Sequence, residues 1–401
     1  PACAGLGCGA MSEGRLARFA SAEDFRLEAR RRLPRILFDY LDGGACGETT
    51  MAANLADLAR IRLAPRVLRD VAARSLAASF LGARQAMPVM LGPVGSLGLF
   101  RAGGEAAAFR AARQAGIPAC LSSFAVTRPE DLPGGRGGDA FQLYVLKDRG
   151  RTEAILERVA AAGFGTLFVT VDTAVSGIRE RDLRNGLRRL ARPDLRILAD
   201  LASHPRWCAG MARNGLPAMM LAEGWPEAGR GYLAQAAFLA GQIDPGFDGK
   251  GLEWLRARWR GRLAVKGVMC AEDARIAIDC GADAVVVSNH GGRQLDGARS
   301  TIRALPAVAE AVAGRAEVLF DGGIRRGGDV LKALMRGADA CLLGRAYAYA
   351  AAAAGEAGIA VLLRRIGAEL DAAMALSGMT APGAGRGAAS APAASPPSPG
   401  P

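Results

Sequence analysis

The most constraining feature of this sequence is the alternation of short apolar runs with longer amphipathic segments. Five helical patterns, at 104–115, 151–162, 271–280, 300–313 and 328–337, fill several gaps between the runs. Eight strands that alternate with helices predict an α/β protein, a (β/α)8 TIM barrel. An open doubly wound sheet is the main alternative, but no glycine fingerprint follows the first run. Each run is as long as a β-strand, and most are bounded by Gly or Pro: 87–92, 117–122, 140–145, 166–172, 263–267, 284–288, 318–321 and 341–344.

The spacing of the runs also predicts the domain limits. We expect one barrel domain over 21–379, after a flexible segment at 1–20. The gap after the fourth run is too long for a single crossover, which predicts an insertion at about 185–250. Residues 380–401 are rich in Ala, Pro and Ser and cannot bury enough apolar surface to fold, so we expect a disordered tail there.

Charge and cysteine content exclude some classes of function. The formal net charge is +12, but the basic residues are interspersed with acidic ones, so no nucleic-acid partner is expected. The eight Cys form no CxxC pair, and only two His are present, which predicts reduced thiols in the cytoplasm and no metal site. No apolar stretch reaches about 18 residues, so a spanning helix is not expected. Residues 1–10 lack the order of a signal peptide.

Polar residues collect where the predicted strands end. Barrel enzymes place their catalytic groups at these carboxyl ends. A purely structural barrel has no reason to gather so many donors and charges at one rim, although each residue alone has a structural role as an equal alternative. The set predicts an active site and comprises Ser122, Ser123, Gln142, Tyr144, Thr170, Asp172, Lys266, Ser288, Asn289, His290 and Asp321.

The last two runs lead into turns rich in Gly and Arg, at 321–328 and 343–345. Glycine lets backbone N–H groups approach a phosphate, and Arg binds a phosphate through two parallel hydrogen bonds. The loops after the seventh and eighth strands are the usual phosphate site of this barrel. The two turns together predict a phosphorylated ligand.

Segment 288–296, Ser-Asn-His-Gly-Gly-Arg-Gln-Leu-Asp, is the most informative one. It places His290 directly after an apolar run, with Arg293 three residues later. A histidine there can accept a proton from a substrate whose carboxylate the arginine holds. For a lone histidine, a structural role is an equal alternative.

The sequence resembles the FMN-dependent 2-hydroxy-acid dehydrogenase family, which includes glycolate oxidase, L-lactate dehydrogenase and (S)-mandelate dehydrogenase. The resemblance runs from about Ala22 to Gly378. It implies FMN as the cofactor and oxidation of an (S)-2-hydroxy acid to the 2-oxo acid. Matching motifs occur in the family's order at 38–45, 141–145, 170–173, 265–267, 288–296 and the loop that begins at residue 321.

The resemblance also implies a role for each cofactor residue. The flavin ring would pass the backbone of Pro93, Val94 and Gly95 and would bond to Ser122, Gln142 and Thr170. Lys266 would lie near the N1–O2 edge of the ring, and Ser288 would contact the ribityl chain. The ribityl and phosphate groups would be held by Asp321, Gly323, Arg325, Gly344 and Arg345.

For the substrate, the resemblance implies that Tyr40, Arg179 and Arg293 bind the carboxylate. Tyr144 would bond to the substrate hydroxyl, and His290 would act as the base, steadied by Asp172. The residues leave open whether His290 removes the Cα proton or the hydroxyl proton. They also leave open a second FMN barrel enzyme, of the type 2 isopentenyl diphosphate isomerase kind, and a catalytically silent flavin-binding relative.

Local features favour a mandelate-like substrate or L-lactate. Segments 179–185, 204–207 and 215–217 resemble the mandelate dehydrogenase branch. Gly95 leaves room for a bulky group, whereas the effect of Phe124 on the pocket stays open. We expect Arg181, Arg184 and His204 to lie on a solvated face.

The insertion carries apolar residues at 216–221 and 236–239, with Trp225 and the pair 232–233. They predict either peripheral contact with the inner face of the cell membrane or a lid or subunit contact. The resemblance implies a homotetramer that passes electrons to a quinone or another respiratory acceptor. The alternative is a soluble oxidase that uses oxygen.

Overall fold

A computed structural model describes residues 11–132, 138–186, 193–215 and 217–384. Eight parallel strands pair in chain order, the last pairs with the first, and a bridge between Leu91 and Ala119 joins the first to the second. The predicted TIM barrel is therefore confirmed, and each predicted run contains a strand. After an antiparallel hairpin, β1 (Ala78–Phe80) and β2 (Ala83–Gln85), the barrel strands are β3 (Val89–Leu91), β4 (Cys120–Ser122), β5 (Ala140–Leu143), β6 (Thr166–Thr170), β7 (Arg262–Val268), β8 (Ala284–Val287), β9 (Glu317–Asp321) and β10 (Ala340–Leu343).

All five predicted helices are present, as α6, α7, α13, α14 and α15. Helices α8 to α12 lie between β6 and β7, where the sequence predicts an insertion. The helices are α1 (Glu13–Leu16), α2 (Ala22–Arg32), α3 (Arg35–Asp42), α4 (Thr49–Arg60), α5 (Leu97–Phe100), α6 (Gly104–Gln114), α7 (Arg149–Ala161), α8 (Glu180–Asn185), α9 (Leu195–Ala202), α10 (Pro205–Asn214), α11 (Tyr232–Gln242), α12 (Gly249–Arg258), α13 (Ala271–Asp279), α14 (Thr301–Val312), α15 (Gly327–Met335) and α16 (Arg345–Leu376).

The barrel interior is filled from its amino end. Strands of a closed parallel sheet are covered on both faces, which explains why β8 reads Ala-Val-Val-Val and is buried throughout. Inward-facing side chains such as Phe168 and Leu342 form one cluster with Phe80 and Leu81 of the hairpin. The carboxylate of Glu317 accepts the N–H of Leu81 at 2.7 Å. Because the hairpin packs at this end, the carboxyl ends of the strands remain free for a site.

The fold begins earlier than the sequence suggested. Helix α1 precedes residue 21, and Leu16 and Phe19 are buried, so part of the segment expected to be flexible packs on the core. The apolar spacing of these two residues is too short to stand out in the sequence. Residues 1–10 of that segment and 385–401 of the expected tail lie outside the described residues.

The last helix, α16, is long and apolar enough to cross a membrane by length and composition. Most of its apolar stretch is instead buried inside the fold, where α16 packs against α2, α6 and α15. Gly355, with φ +62°, interrupts it. In the described part of the chain the cysteines are free thiols, and no cluster of His, Cys, Asp and Glu has the arrangement of a metal site.

Candidate active site

A cavity of about 610 Å³ opens at the carboxyl ends of the barrel strands. The residues that the resemblance assigns to catalysis, substrate binding and cofactor binding line this cavity, except Asp172 and Ser288. These two lie directly behind it, since Asp172 bonds to His290 and Ser288 bonds to Lys266. Two other residues of the predicted rim do not line the cavity: Oγ of Ser123 donates to the carbonyl of Gln142 at 2.6 Å, and Nδ2 of Asn289 donates to Oδ1 of Asn54 at 2.9 Å. The structure therefore brings the rest of the predicted set together.

His290 follows β8 in a conformation that few side chains adopt. Its φ is +56°, and Gly291 and Gly292 continue the chain with positive φ values. Non-glycine residues in this region cost roughly 1–3 kcal/mol and cluster at functional sites. The ring nitrogen Nδ1 lies 2.9 Å from Oδ1 of Asp172 and donates to it, which leaves Nε2 free to accept a proton.

Asp172 is held close to β7 by the absence of a side chain at Gly267. A Cβ built on Gly267 would lie 2.7 Å from the Cβ of Asp172, and its φ of +116° also favours glycine. Burial opposes ionisation of Asp172, but the nearby His290 and Lys266 outweigh it and hold the pKa of the carboxyl below its usual value. Asp172 is therefore a carboxylate that can stabilise a protonated imidazole.

Two buried side chains, Lys266 and Ser288, and the half-buried Asp321 form a hydrogen-bonded chain across the ends of β7, β8 and β9. Nζ of Lys266 donates to Oγ of Ser288 at 2.9 Å, and Ser288 donates to Asp321 at 2.7 Å. Nζ also lies 3.1 Å from Oδ2 of Asp321. Burial alone would lower the pKa of Lys266, but the charges of Asp321 and Asp172 raise it, so the ammonium stays charged in the cavity wall.

The strand ends β4, β5 and β6 present donors that the protein itself leaves unpaired. Ser122 donates from Oγ to Oε1 of Gln142 at 3.0 Å, which orients the amide. Within the described residues, Nε2 of Gln142 and Oγ1 of Thr170 are buried without a hydrogen-bond partner. Buried polar groups are nearly always paired, so these two atoms mark a surface for a polar planar ligand.

The turns after β9 and β10 differ in part from the prediction. Arg325 lines the cavity, and its guanidinium carbon lies 5.8 Å from the ring centre of Tyr349. Arg345 also lines it, but its Nη atoms donate to the carbonyls of Gly291 and Gly43 at 2.8 and 2.7 Å. Nε of Arg345 is buried and has no hydrogen-bond partner among the described residues. Arg345 therefore supports the His290 loop as well as facing the ligand.

The opposite side of the cavity carries two arginines around one tyrosine. The guanidinium carbons of Arg179 and Arg293 lie 5.4 and 5.3 Å from the ring centre of Tyr40. Nη1 of Arg293 donates to the carbonyls of Tyr40 and Gly43. Two positive groups beside a phenol have the charge and the hydrogen-bond donors that binding of a carboxylate requires. Burial raises the pKa of Tyr144, so its phenol stays protonated and able to donate.

Some cavity residues were missed or misplaced by sequence reasoning. Tyr232 of α11 lines the cavity and donates to Oγ of Ser96, although the sequence suggested a surface position. Asp182 also lines it and accepts from Nε of Arg179 at 2.6 Å. The spacing of Tyr232, Ala236 and Ala240, all cavity residues, is the helical signal that could have found this face.

The structure corrects the expected surface of the insertion. Met219, Met220 and Leu221 are buried, and Trp225 packs edge-on against Phe238. Leu216 lies outside the described residues. The apolar residues suggested for a membrane surface therefore belong largely to the core, because α11 turns its apolar side toward the barrel.

The three charged residues expected on a solvated face have different environments. Arg184 is exposed and pairs with Glu180, as expected. His204 is half-buried, and its Nδ1 lies 2.8 Å from the carbonyl of Asp200. Arg181 contradicts the expectation, since it bonds to Asp42 and Glu48.

Comparison with known proteins assigns this site to a family. The model of the FMN-dependent dehydrogenase family matches residues 29–385. The chain belongs to this family. It is 48% identical over 366 residues to an L-lactate dehydrogenase of Caulobacter vibrioides, which covers 90% of this chain and 94% of the relative.

Two solved structures resemble the family member described here. A monotopic membrane protein, (S)-mandelate dehydrogenase, has a TM-score of 0.87 and 39% identity, covering 92% of this chain and 98% of that one. A mandelate oxidase has a TM-score of 0.79 and 37% identity, covering 92% and 97%. Family membership makes FMN the cofactor. The unpaired donors of Gln142 and Thr170 fit the polar edge of a flavin ring, so the residues present agree with that cofactor.

Proposed function

We propose that this FMN-dependent 2-hydroxy-acid dehydrogenase oxidises L-lactate, with (S)-mandelate as the second candidate, and passes the electrons to a quinone. One observation supports the proposed reaction. His290, bonded to Asp172, shares a cavity with Arg179 and Arg293 around Tyr40. That pairing supplies a base and a carboxylate site, which are the two things that oxidation of a 2-hydroxy acid requires of the protein.

In the proposed mechanism the substrate carboxylate binds Tyr40, Arg179 and Arg293. Tyr144 donates a hydrogen bond to the hydroxyl oxygen and orients it. Nε2 of His290 accepts a proton, from either Cα or the hydroxyl group, and the adjacent carboxylate of Asp172 stabilises the resulting imidazolium. When bound, FMN supplies the two-electron acceptor.

The cofactor residues are assigned in the same proposal. The backbone of 93–95 and the side chains of Ser122, Gln142 and Thr170 would hold the ring, with the charge of Lys266 beside it. A fixed positive charge favours the anionic reduced ring. The ribityl and phosphate groups would be held by Ser288, Asp321, Gly323, Arg325, Gly344 and Arg345.

The base assignment is tested with His290→Gln in the holoenzyme. General bases contribute about 10²- to 10⁴-fold to a rate, so kcat should fall by that factor while bound flavin, seen in the visible spectrum, is unchanged. Unchanged turnover would refute the assignment. A simpler first experiment mixes the yellow protein with L-lactate in the absence of oxygen. Bleaching of the flavin absorbance indicates an active enzyme, whereas an unchanged spectrum indicates a catalytically silent flavin-binding relative.

The preference for L-lactate rests on the space beside Gly95. A Cβ built there would lie 3.0 Å from the Cβ of Phe124, and the Phe124 ring packs edge-on against Tyr144 at 5.5 Å. The Phe124 side chain therefore starts against Gly95 and lines the cavity beside Tyr144, which reduces the room that the missing side chain leaves. We expect the highest kcat/KM with L-lactate, compared with (S)-mandelate and glycolate. A higher value for (S)-mandelate would select the second candidate, and a clear preference for glycolate would contradict both.

We propose a membrane contact through residues other than those that the sequence suggested. Val175, Ile178 and Leu183 are more than 60% exposed near the cavity mouth, as is Leu195 of α9. An exposed apolar rim with cationic neighbours suits the surface of an anionic membrane, where quinones dissolve. Solved relatives include a monotopic membrane protein, which supports peripheral attachment. The side of the membrane that we propose is the cytoplasmic one.

Two measurements test this part of the proposal. Leu195→Ser should weaken sedimentation with anionic lipid vesicles, whereas Leu376→Ser, on the exposed side of α16, should not. Enzyme that stays wholly in the supernatant would contradict membrane contact. Oxygen consumption that outpaces reduction of a soluble quinone would favour the oxidase alternative. The homotetramer stays a prediction, checked by the mass of the purified holoenzyme.

A further inference from the structure

A cluster of charged side chains joins the segments that carry the proposed carboxylate-binding residues. Arg181 of α8 donates from Nη1 to Oδ2 of Asp42 at 2.9 Å, and from Nη2 to Oε2 of Glu48. Asp42 ends α3, and Glu48 precedes α4. One guanidinium therefore joins parts of the chain that lie 139 and 133 residues apart in sequence.

The two ends of this connection lie next to the site. Tyr40 is on α3, two residues before Asp42, and Arg179 caps α8, two residues before Arg181. The guanidinium of Arg179 packs against the Tyr40 ring. The Arg181 contact therefore fixes α8 against α3 beside the Arg179–Tyr40 pair, together with the bond from Nδ2 of Asn185 to Oδ2 of Asp39 at 2.6 Å.

The cluster is a built feature of the interior. Asp42 is only 4% exposed and also accepts from Arg26 at 2.6 Å and from Tyr349 at 2.7 Å. A Cβ at Gly43 would come 2.7 Å from the carbonyl oxygen of Asp39, so the end of α3 requires glycine here, whereas its 3.4 Å distance from Cδ of Arg181 is an ordinary contact. Burial opposes ionisation of Asp42, but Arg26 and its other donors keep its pKa well below the usual range.

Arg181 differs from its neighbours on the same helix in what it contacts. It does not line the cavity, whereas Arg179 does. Arg184 is 72% exposed and pairs with Glu180 on its own helix, so its loss cannot affect α3. Exposed pairs within a helix contribute little, whereas removing one partner from a buried cluster leaves a buried charge with too few partners.

We propose that Arg181 is a positioning residue for substrate binding. It holds Arg179 against Tyr40, so that these two residues are already in place when the substrate carboxylate binds. The inference rests on the proposed function of Arg179 and Tyr40. Arg181 acts before the chemical step, so its loss changes binding of substrate and product alike.

The test compares Arg181→Met with Arg184→Met in the holoenzyme. For Arg181→Met we expect KM for L-lactate, and Kd for pyruvate from the flavin absorbance change, to rise about tenfold each. We expect kcat to stay within about threefold of the parent. Arg181→Lys should show an intermediate rise, because an ammonium lacks the fork that reaches two carboxylates. Arg184→Met should match the parent in all three values. If (S)-mandelate is the better substrate, KM is measured with (S)-mandelate in place of L-lactate, and Kd with phenylglyoxylate in place of pyruvate.

Other outcomes would overturn the inference. A lower Tm for Arg181→Met with unchanged KM and Kd indicates a purely structural role, and a fall in kcat alone also contradicts positioning. If Arg181→Met does not fold, an unchanged KM for Arg181→Lys is the contradicting result. Arg179→Met separates the two proposals. If it leaves KM and Kd unchanged, the proposed carboxylate site is wrong, whereas if it raises both and Arg181→Met raises neither, only the inference fails.

Discussion

Replacing Asp172 by Asn removes a charge from the site while keeping its shape. The amide oxygen of Asn can still accept from Nδ1 of His290, so the ring should keep its orientation and tautomer. What is lost is attraction to the imidazolium. With charge centres about 4 Å apart and an effective dielectric constant of about 20, that attraction is about 4 kcal/mol. The His290 side chain is 26% exposed, so solvent reduces the figure, and we expect flavin reduction to slow by about 10²- to 10³-fold.

The measurement is the rate of flavin bleaching by L-lactate in a stopped-flow instrument, without oxygen. Thr173→Val is the matched comparison, since Oγ1 of Thr173 gives the same carboxylate a neutral hydrogen bond at 3.0 Å. Loss of such a bond costs about 0.5–1.5 kcal/mol, or about two- to tenfold in rate. The reasoning is refuted if Asp172→Asn retains bound flavin and reacts within tenfold of the parent.

Three further predictions follow from the same structure. Gly267→Ala should displace Asp172 and slow flavin reduction at least tenfold, because the new Cβ would lie 2.7 Å from the Cβ of the aspartate. Gly165→Ala is the control, since the space around Gly165 is open, and it should leave the rate unchanged. Equal rates of flavin reduction in the two variants would contradict the prediction. Phe124→Ala should raise kcat/KM for (S)-mandelate relative to L-lactate by removing the ring beside Gly95, and an unchanged ratio would show that the ring does not limit the pocket. Asp42→Asn should lower Tm most near neutral pH. Burial opposes ionisation of Asp42, but its hydrogen-bond partners hold the pKa of the folded carboxyl below the ordinary 3.8. The carboxylate therefore stabilises the fold above pH 3.8, and this stabilisation is lost as the pH falls below that value. A Tm difference between Asp42→Asn and the parent that does not shrink at pH 3 would contradict the assignment.

Much of the architecture can be predicted from short local segments of the sequence. Each barrel strand is a short apolar run because a closed parallel sheet is covered on both faces, so strands such as β6 and β8 are recognisable without knowledge of their partners. Topology then places the carboxyl ends of all strands at one rim. This is why His290, Lys266 and Gln142 could be grouped as one site from sequence alone.

The insertion was harder to interpret, because its helices can bury either face. An apolar segment such as 219–221 has the same composition in a core as on a membrane surface. Only the packing of α11 against the barrel determines that Tyr232 faces the cavity. The same limit applies to Arg345, whose Nη atoms reach carbonyls of two distant loops.

The sequence by itself therefore determined the barrel, the order of its strands and the residues at its active rim, since these depend on local periodicity and on strand direction. The tertiary structure alone decided which charged residues are buried and with whom. In the segment Arg-Glu-Arg-Asp, Arg181 resembles any surface arginine, and it becomes a half-buried link to the buried Asp42 only because α3 and α8 meet. Contacts between residues more than a hundred positions apart arise from the closure of the barrel and the docking of helices on it, and no local pattern encodes them.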